Sequence, residues 1–419
     1  MPARISCAPR VLVVGCSYAG LSAALNLLDL TSGLQPRIGH SPYKHHPQAT
    51  TLPVEITIVD ERDGFFHLIG APLAFASTKF AEKFWVKFQD IPDVQRPNVN
   101  FIHGSLKHID PSAKRATILE HLATAPRHQD YDYLVCTSGL RRTFPSVPLS
   151  LTREAYLAEA QTQIDRSINA PLGVLVVGGG AVGIEMAAEL KTVEPQVKVW
   201  LAHSRSKLLS AEDLGDAAKD AALELVRESG VEPLMEHRLQ SVTDETLPDG
   251  SVKKHVVFTN GNTLDVSEVI MALSSPKTTA GYLPASAVNE AGYVKIRPTL
   301  QFAEGTPNHN THFALGDLAQ WSGIKRCGGA MHMGGYAAHN IHQLMLAEAV
   351  PDYKPEFNLL DEFPPVMGLA VGRKAMATGG PDDVKVGEDV MAAYFRDDLG
   401  FDICWNYIGM GGRKDKERK

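Results

Sequence analysis

Cysteine is scarce and scattered in this sequence. Five cysteines stand among 419 residues, at Cys7, Cys16, Cys136, Cys327 and Cys404, and no two share a C-x-x-C spacing. An odd, dispersed set argues against a disulfide framework and fits a reducing, cytoplasmic setting. Positive charge is also in deficit, since 41 Lys+Arg against 48 Asp+Glu leave a net charge of −7. That balance lacks the basic face that nucleic acid demands. The one basic run, residues 413–419, reads as a solvated terminus. Long apolar runs are missing as well: no uncharged stretch approaches the ~20 residues that span a bilayer. The opening MPARISCAPR has neither the apolar centre of a signal peptide nor a glycine after Met1. Membrane contact is therefore expected to be peripheral at most. What remains is an ordinary globular composition, 44% hydrophobic and 21% charged, long enough for two or three domains.

Against that plain background one pattern appears twice. Residues 11–14 are a fully apolar run ending at Gly15, as a strand covered on both faces reads. A helical pattern at 21–30 follows, and a second strand at 54–59 ends at Asp60. Between them, residues 31–53 are rich in Pro, Gly and His and read as a loop inserted into a βαβ unit. Its histidines, His40, His45 and His46, lack the Cys or carboxylate neighbours of a metal site, so no metal is expected. A second unit follows, with a strand at 173–177, a helix at 181–192 and a strand at 197–202. Two such units predict two dinucleotide folds in one α/β chain.

The turns between strand and helix carry the chemistry. Gly178-Gly179-Gly180-Ala181-Val182-Gly183 is a full G-x-G-x-x-G. Gly178 makes the tight turn, Gly180 admits a pyrophosphate and Gly183 lets helix and strand approach. The helix N-terminus then offers free N–H groups to phosphate. Gly15-Cys16-Ser17-Tyr18-Ala19-Gly20 departs from this pattern, with Ser17 at the second glycine. Serine keeps the approach open and adds a donor. Asp60 stands where an acid bonds the adenosine ribose, and Cys16 reads as a small filler. After the second unit's closing strand come His203, Ser204, Arg205, Ser206 and Lys207, with no acid among them. Ser204 and Arg205 suit a 2′-phosphate, so NADPH is expected alongside NADH. The plainer reading is an exposed basic loop.

Two further segments connect this chain to a family. Tyr131 to Gly139 is a strand ending Thr137-Ser138-Gly139, and Phe313-Ala314-Leu315-Gly316-Asp317 is another strand end. Both resemble the pyridine-nucleotide flavoprotein oxidoreductases, whose strand ending in Thr-Gly closes the FAD domain; here Ser138 intervenes. In that family the Asp corresponding to Asp317 contacts the flavin ribityl chain. A helix at 333–344 would aim its N-terminus at the flavin. The resemblance implies FAD in one Rossmann-like domain (residues 9–145 and 289–350) and NADPH or NADH in a second inserted within it (146–288). A small C-terminal α+β region (351–419) follows.

Branches of that superfamily differ in their cysteines. Residues 61–80 contain none, which excludes the dithiol relay of the disulfide reductases. Cys327 alone cannot serve as in sulfide:quinone oxidoreductases, and Cys136 reads as buried in its strand. The FxGxxxHxxxW segment of flavin monooxygenases is absent. Through Gly15–Gly20, Gly70-Ala71-Pro72-Leu73, Gly178–Glu185 and Gly316-Asp317 the chain resembles the apoptosis-inducing-factor-like and type-II NADH dehydrogenase group, and within it fungal members of the ferroptosis-suppressor branch. That implies hydride transfer from NAD(P)H to FAD and on to a small quinone-like or aromatic acceptor. It also implies a place for Glu185 at the redox centre, where the alternative is a helix acid only. His332, in a glycine-rich stretch, is a candidate proton donor, with a structural histidine as the alternative. Residues 401–410 read as a half-buried core strand, against a lipid or homodimer contact. Rival functions are a flavoenzyme of secondary metabolism acting on a non-quinone intermediate, and a non-catalytic signalling flavoprotein.

Overall fold

A computed structural model describes residues 8–39, 42–248, 250, 252–273, 277–380 and 383–410. Cys7, His40 and the basic tail lie outside them. Strand β1 (Arg10–Val14) leads into helix α1 (Tyr18–Thr31), and β2 (Glu55–Asp60) returns beside β1. Their parallel register sets Val14 opposite Val59, so the insertion leaves Asp60 beside the first glycine turn. Strands β3 (Val99–Asp110) and β4 (Tyr133–Cys136) complete this half. In the second unit, β5 (Val174–Val177), α2 (Ala181–Val193), β6 (Val199–Ala202), β7 (Glu232–Leu234) and β8 (Glu268–Met271) form a four-stranded sheet of order β7-β6-β5-β8. The chain then returns through β9 (His312–Ala314) and α3 (Cys327–Ala349). β9 pairs with β4 at one edge of the seven-stranded first sheet, in which β9-β4-β1-β2-β3 run parallel and two antiparallel strands, Arg115–Glu120 and Arg127–Asp130, follow beyond β3. This doubly wound α/β architecture, built twice, is the expected fold class.

Packing explains why these segments hold. Helix α1 is apolar nearly all round and buried along its whole length, as a helix between two layers must be. It lies between the first sheet and α3, and Ser22 Oγ donates to Met331 O at 2.7 Å. Gly334 permits that closeness, because a Cβ there would stand 2.6 Å from Ser22 Oγ. This contact helps carry α3 through a glycine-rich stretch that propensity alone disfavours, so the helix begins at Cys327 rather than near 333.

The insertion at 31–53 is pinned rather than loose. Arg37, almost fully buried, binds Asp29 and Asp93 at 2.8 Å each and donates to Gly409 O at 2.6 Å. Tyr43 Oη bonds His342 Nδ1 at 2.8 Å, and His45 Nε2 bonds Leu34 O at 3.0 Å.

The C-terminal region touches both halves. Strands β10 (Gly368–Val371), β11 (Lys374–Thr378) and β12 (Val384–Gly387) form an antiparallel sheet whose Leu369, Val371 and Met376 join the core of the second unit. Residues 401–410, expected as a strand, instead contain helix α4 (Phe401–Tyr407). Phe401 and Cys404 are its buried positions, and with Ile408 just past its end they keep a helical spacing and join the core of the first unit. The apparent alternation of Phe401, Ile403 and Trp405 misleads because Ile403 and Trp405 are only half-buried.

Candidate functional site

The two glycine turns divide their labour among positions. Gly15 has φ +90° and donates its N–H to Val59 O at 2.8 Å. Thr137 Oγ1 donates to Gly15 O at 2.5 Å, locking the turn to the end of β4. A Cβ on Gly15 would stand 2.7 Å from Thr137 O, and one on Gly20 would overlap Gly15 O. In the second turn Gly178 has φ +126°, and a Cβ on Gly183 would overlap Gly178 O. These glycines are fixed by the fold. Gly180 is not: a Cβ there meets nothing within 4 Å. Its missing side chain leaves space on the cavity side, as a pyrophosphate cradle requires. Ser17 stands before α1 without capping it, so its hydroxyl is not committed to the helix.

A cavity of about 1960 Å³ joins the two turns. Gly15, Ser17, Ala19 and Asp60 line it from the first unit, together with Ser138 and Gly139. Gly180 and Glu185 face it from the second unit, and Gly316, Asp317 and His332 from the return segment. Such a volume exceeds the roughly 300–1,000 Å³ of a typical single-ligand pocket, so two cofactors can share it. Gly20, Gly178 and Gly183 lie behind the wall. Ser204 and Arg205 are exposed and do not line it.

Charge is placed where a flavin dinucleotide would need it. Asp60 accepts from Cys16 N at 2.6 Å and from Arg62 N at 2.8 Å, so it braces the turn as well as facing the cavity. Burial pushes its carboxyl above the ordinary range. Burial likewise pushes the Cys16 thiol well up, which fits a filler and not a redox role. Arg62 lines the cavity, and its Nε is buried with no partner, a donor awaiting an acceptor. Arg62 was not singled out from the sequence; its signal was a basic residue two places after the strand-ending acid. Asp317 is paired with Arg142 at 3.3 Å, a second cavity cation that the motifs did not mark. Ser138 Oγ meets Tyr282 Oη at 2.9 Å and accepts from Thr279 Oγ1 at 2.7 Å, tying the strand end to the returning chain.

Glu185 lies half-buried on α2, with its exposed part toward the cavity. Its Oε1 accepts from Ala370 N at 3.3 Å. Desolvation pushes its carboxyl up to about 8, with the carboxylate of Glu189 one turn on as a smaller cause. Glu189 is itself buried and pushed up to about 8 by desolvation, and its Oε1 has no partner. His332 packs against Tyr336 with ring centroids 4.2 Å apart. At the other cofactor loop, His203 Nδ1 accepts from Gly179 N at 3.2 Å, and Arg205 Nη1 donates to Ser210 O at 3.1 Å. Lys207 is engaged by Asp216 at 3.0 Å and Asp220 at 3.3 Å.

Residues 61–80 hold no cysteine, but the reading of Cys327 as standing alone needs correction. Cys136 is buried in β4 as expected, but Cys327 is not alone. The fold brings Cys404 of α4 to it, with the sulfurs 3.8 Å apart at the cavity wall. The pairing was illegible because it spans 77 residues and depends on α4 being a helix.

Residues 9–334 match the family model of pyridine nucleotide-disulphide oxidoreductases. The chain belongs to that family. It is an oxidoreductase dependent on FAD and NAD(P)H. Oxidoreductase OXR1 of Ajellomyces capsulatus is 48% identical over 406 residues, covering 96% of this chain and 88% of that protein. Ferroptosis suppressor protein 1 of Mus musculus is 26% identical over 353 residues, covering 83% of this chain and 84% of its own. Among solved structures, NDH2 from Plasmodium falciparum shares the fold with TM-score 0.66 over 96% of this chain and 97% of that one, at 12% identity. Among the described residues no helix is long and apolar enough to cross a membrane.

Proposed function

We propose that this oxidoreductase passes electrons from NAD(P)H through FAD to a small quinone-like or aromatic acceptor. The observation that carries the reading is the continuity of the cavity from Gly15 and Asp60 on one side to Gly180 on the other. Bound FAD would supply a two-electron centre, and the shared cavity would bring hydride donor and flavin into one compartment. In this reading Gly15, Ser17, Ala19, Asp60, Ser138, Gly139, Gly316 and Asp317 hold FAD, with Arg62 and Arg142 as added cations and Gly20 shaping the turn from behind the wall. Gly180 cradles NAD(P)H, on a turn that Gly178 and Gly183 shape from behind the wall. The first unit spans 9–145 and 289–350, the second 146–288, and the C-terminal region is 351–419, whose described residues between 363 and 407 line part of the cavity. Ile69, Pro72, Phe395 and Tyr407 give part of the cavity an apolar, aromatic wall that suits a planar acceptor.

Glu185 keeps its proton at neutral pH and presents it to the cavity, as a general acid should. His332 is the second proton source. A non-quinone intermediate of secondary metabolism is the alternative acceptor, and steady-state oxidation of NAD(P)H with a panel of quinones separates them. Ordinary turnover with quinones is the expected outcome; turnover no faster than with oxygen alone rejects the proposal.

For the nicotinamide, NADPH is accepted at least as well as NADH. None of the five residues after β6, 203–207, is an acid that would repel a 2′-phosphate, and the side chain of the exposed Arg205 is held through a backbone carbonyl. A kcat/KM preference for NADH above about tenfold, or ~1.4 kcal/mol, would contradict this. Arg205→Ala should cost NADPH more than NADH.

A further inference from the structure

Among the described residues, none between 31 and 53 lines the cavity, yet one of them grips its wall from behind. The Arg37 side chain is only 3% exposed, and each of its three nitrogens donates. Nε donates to Asp29 Oδ2 and Nη2 to Asp93 Oδ1, both at 2.8 Å. Nη1 donates to Ile408 O at 3.3 Å and Gly409 O at 2.6 Å. Asp29 is shared with Arg96 at 3.2 Å, so two cations meet two carboxylates and offset the cost of burial. The two carbonyls stand just past the C-terminal end of α4, where a helix leaves carbonyls unpaired and favours a cation.

Helix α4 depends on such ties. It has seven residues, and a helix shorter than about 12–15 residues is marginal in water. Its N-terminal end is held by Lys83, which meets Asp398 at 2.7 Å and Asp402 at 3.0 Å, and by His67, whose Nε2 bonds Leu399 O at 3.1 Å. Arg37 holds the other end. Between these ties Ile403, Cys404 and Tyr407 line the cavity. Tyr407 stands one residue before the first carbonyl that Arg37 holds. It is 45% exposed, so its place depends on the backbone that carries it. A guanidinium carries its donors in a rigid plane, so this tie fixes direction as well as distance.

We propose that the 31–53 insertion shapes the acceptor end of the cavity through Arg37, a positioning residue that holds α4 where Ile403 and Tyr407 meet the acceptor. This rests on the acceptor binding at that apolar end, as in the proposed function. The two half-reactions should then respond differently. NAD(P)H approaches from the Gly180 side, so flavin reduction is indifferent to Arg37. The acceptor meets a displaced wall, so its KM rises.

The test compares Arg37→Lys with the unaltered protein, both FAD-loaded, using NADPH and menadione. Lysine keeps the charge between Asp29 and Asp93 but lacks the planar fork that reaches both carboxylates and both carbonyls. The KM for menadione should rise at least about fivefold, while the rate of flavin bleaching by NADPH and the FAD content stay within about twofold. Tyr407→Ala should raise the same KM, and in the double variant Arg37→Lys should add less than about twofold, because both act through one helix. An unchanged KM for menadione overturns the proposal. So does an equal loss in flavin bleaching, which would make Arg37 a general support, and so do effects of the two substitutions that simply multiply. Should Arg37→Lys fail to fold, Asp93→Asn, which weakens one bond of the four, takes its place: a menadione KM raised at least about twofold with bleaching unchanged supports the proposal, and an unchanged KM overturns it. Unaltered protein that NADPH bleaches and menadione does not re-oxidise sinks the quinone reading, and this inference with it; menadione turnover that Arg37→Lys leaves untouched sinks this inference alone.

Discussion

At the scale of single residues, one carboxyl on the cavity wall and one buried behind it are held away from their ordinary charge. Glu185 and Glu189 lie one turn apart on α2, and burial pushes each carboxyl up to about 8. If Glu185 donates the proton, turnover should fall as pH rises through about 8. Glu185→Gln should lower kcat by about 10²-fold or more and abolish that alkaline limb. A variant with the same limb assigns Glu185 to structure alone. Glu189 makes a separate claim about stability. Its folded-state pKa lies above the unfolded value, so the folded chain binds the extra proton between about pH 4.5 and 8, and stability falls as pH rises through that window. Glu189→Gln should flatten that slope and raise the melting temperature near pH 8, checked by thermal melts across pH. The sequence marked Glu185 by its place after a glycine motif. It could not mark Glu189, whose importance comes from burial and an orphaned atom, or Arg142, which only the fold brings to Asp317. The Cys327–Cys404 contact was hidden for the same reason: only tertiary packing makes two distant residues neighbours.

At the scale of elements, the glycine turns were the most legible part of the chain. Strand, turn and helix follow there from local rules, and the observed boundaries of β5 and α2 fall within a residue of the expected ones. The same turns separate fold from function. Gly183→Ala places a Cβ into the backbone oxygen of Gly178 and should cost roughly 1–3 kcal/mol of stability. Gly180→Ala meets open space and has extended backbone that any residue adopts, so stability should stay within about 0.5 kcal/mol. Its effect should appear as a raised KM for NAD(P)H. Urea unfolding and cofactor kinetics on both variants check the pair; equal loss of stability would remove the cradle assigned to Gly180. Elements decided by tertiary contact were less legible. Helix α4 reads locally as a strand, and α3 begins earlier than its glycines suggest, with Gly334 fitted against Ser22 of α1.

At the scale of the whole molecule, the C-terminal region binds the two units together. Its sheet joins the core of the second unit, while Phe401, Cys404 and Ile408 join the core of the first. The cavity therefore has walls from every part of the chain, and its aromatic end comes largely from the segment that carried no motif. The account's central claim is that this one compartment lets electrons run from NAD(P)H through FAD to a quinone-like acceptor. Sequential-mixing stopped flow tests it most directly. The FAD-loaded protein is mixed anaerobically with one equivalent of NADPH and then with either a soluble benzoquinone or oxygen. The account predicts rapid bleaching of the flavin absorbance by NADPH and its return at least about tenfold faster with quinone than with oxygen. A flavin that NADPH does not bleach, or one that quinone re-oxidises no faster than oxygen does, would contradict it.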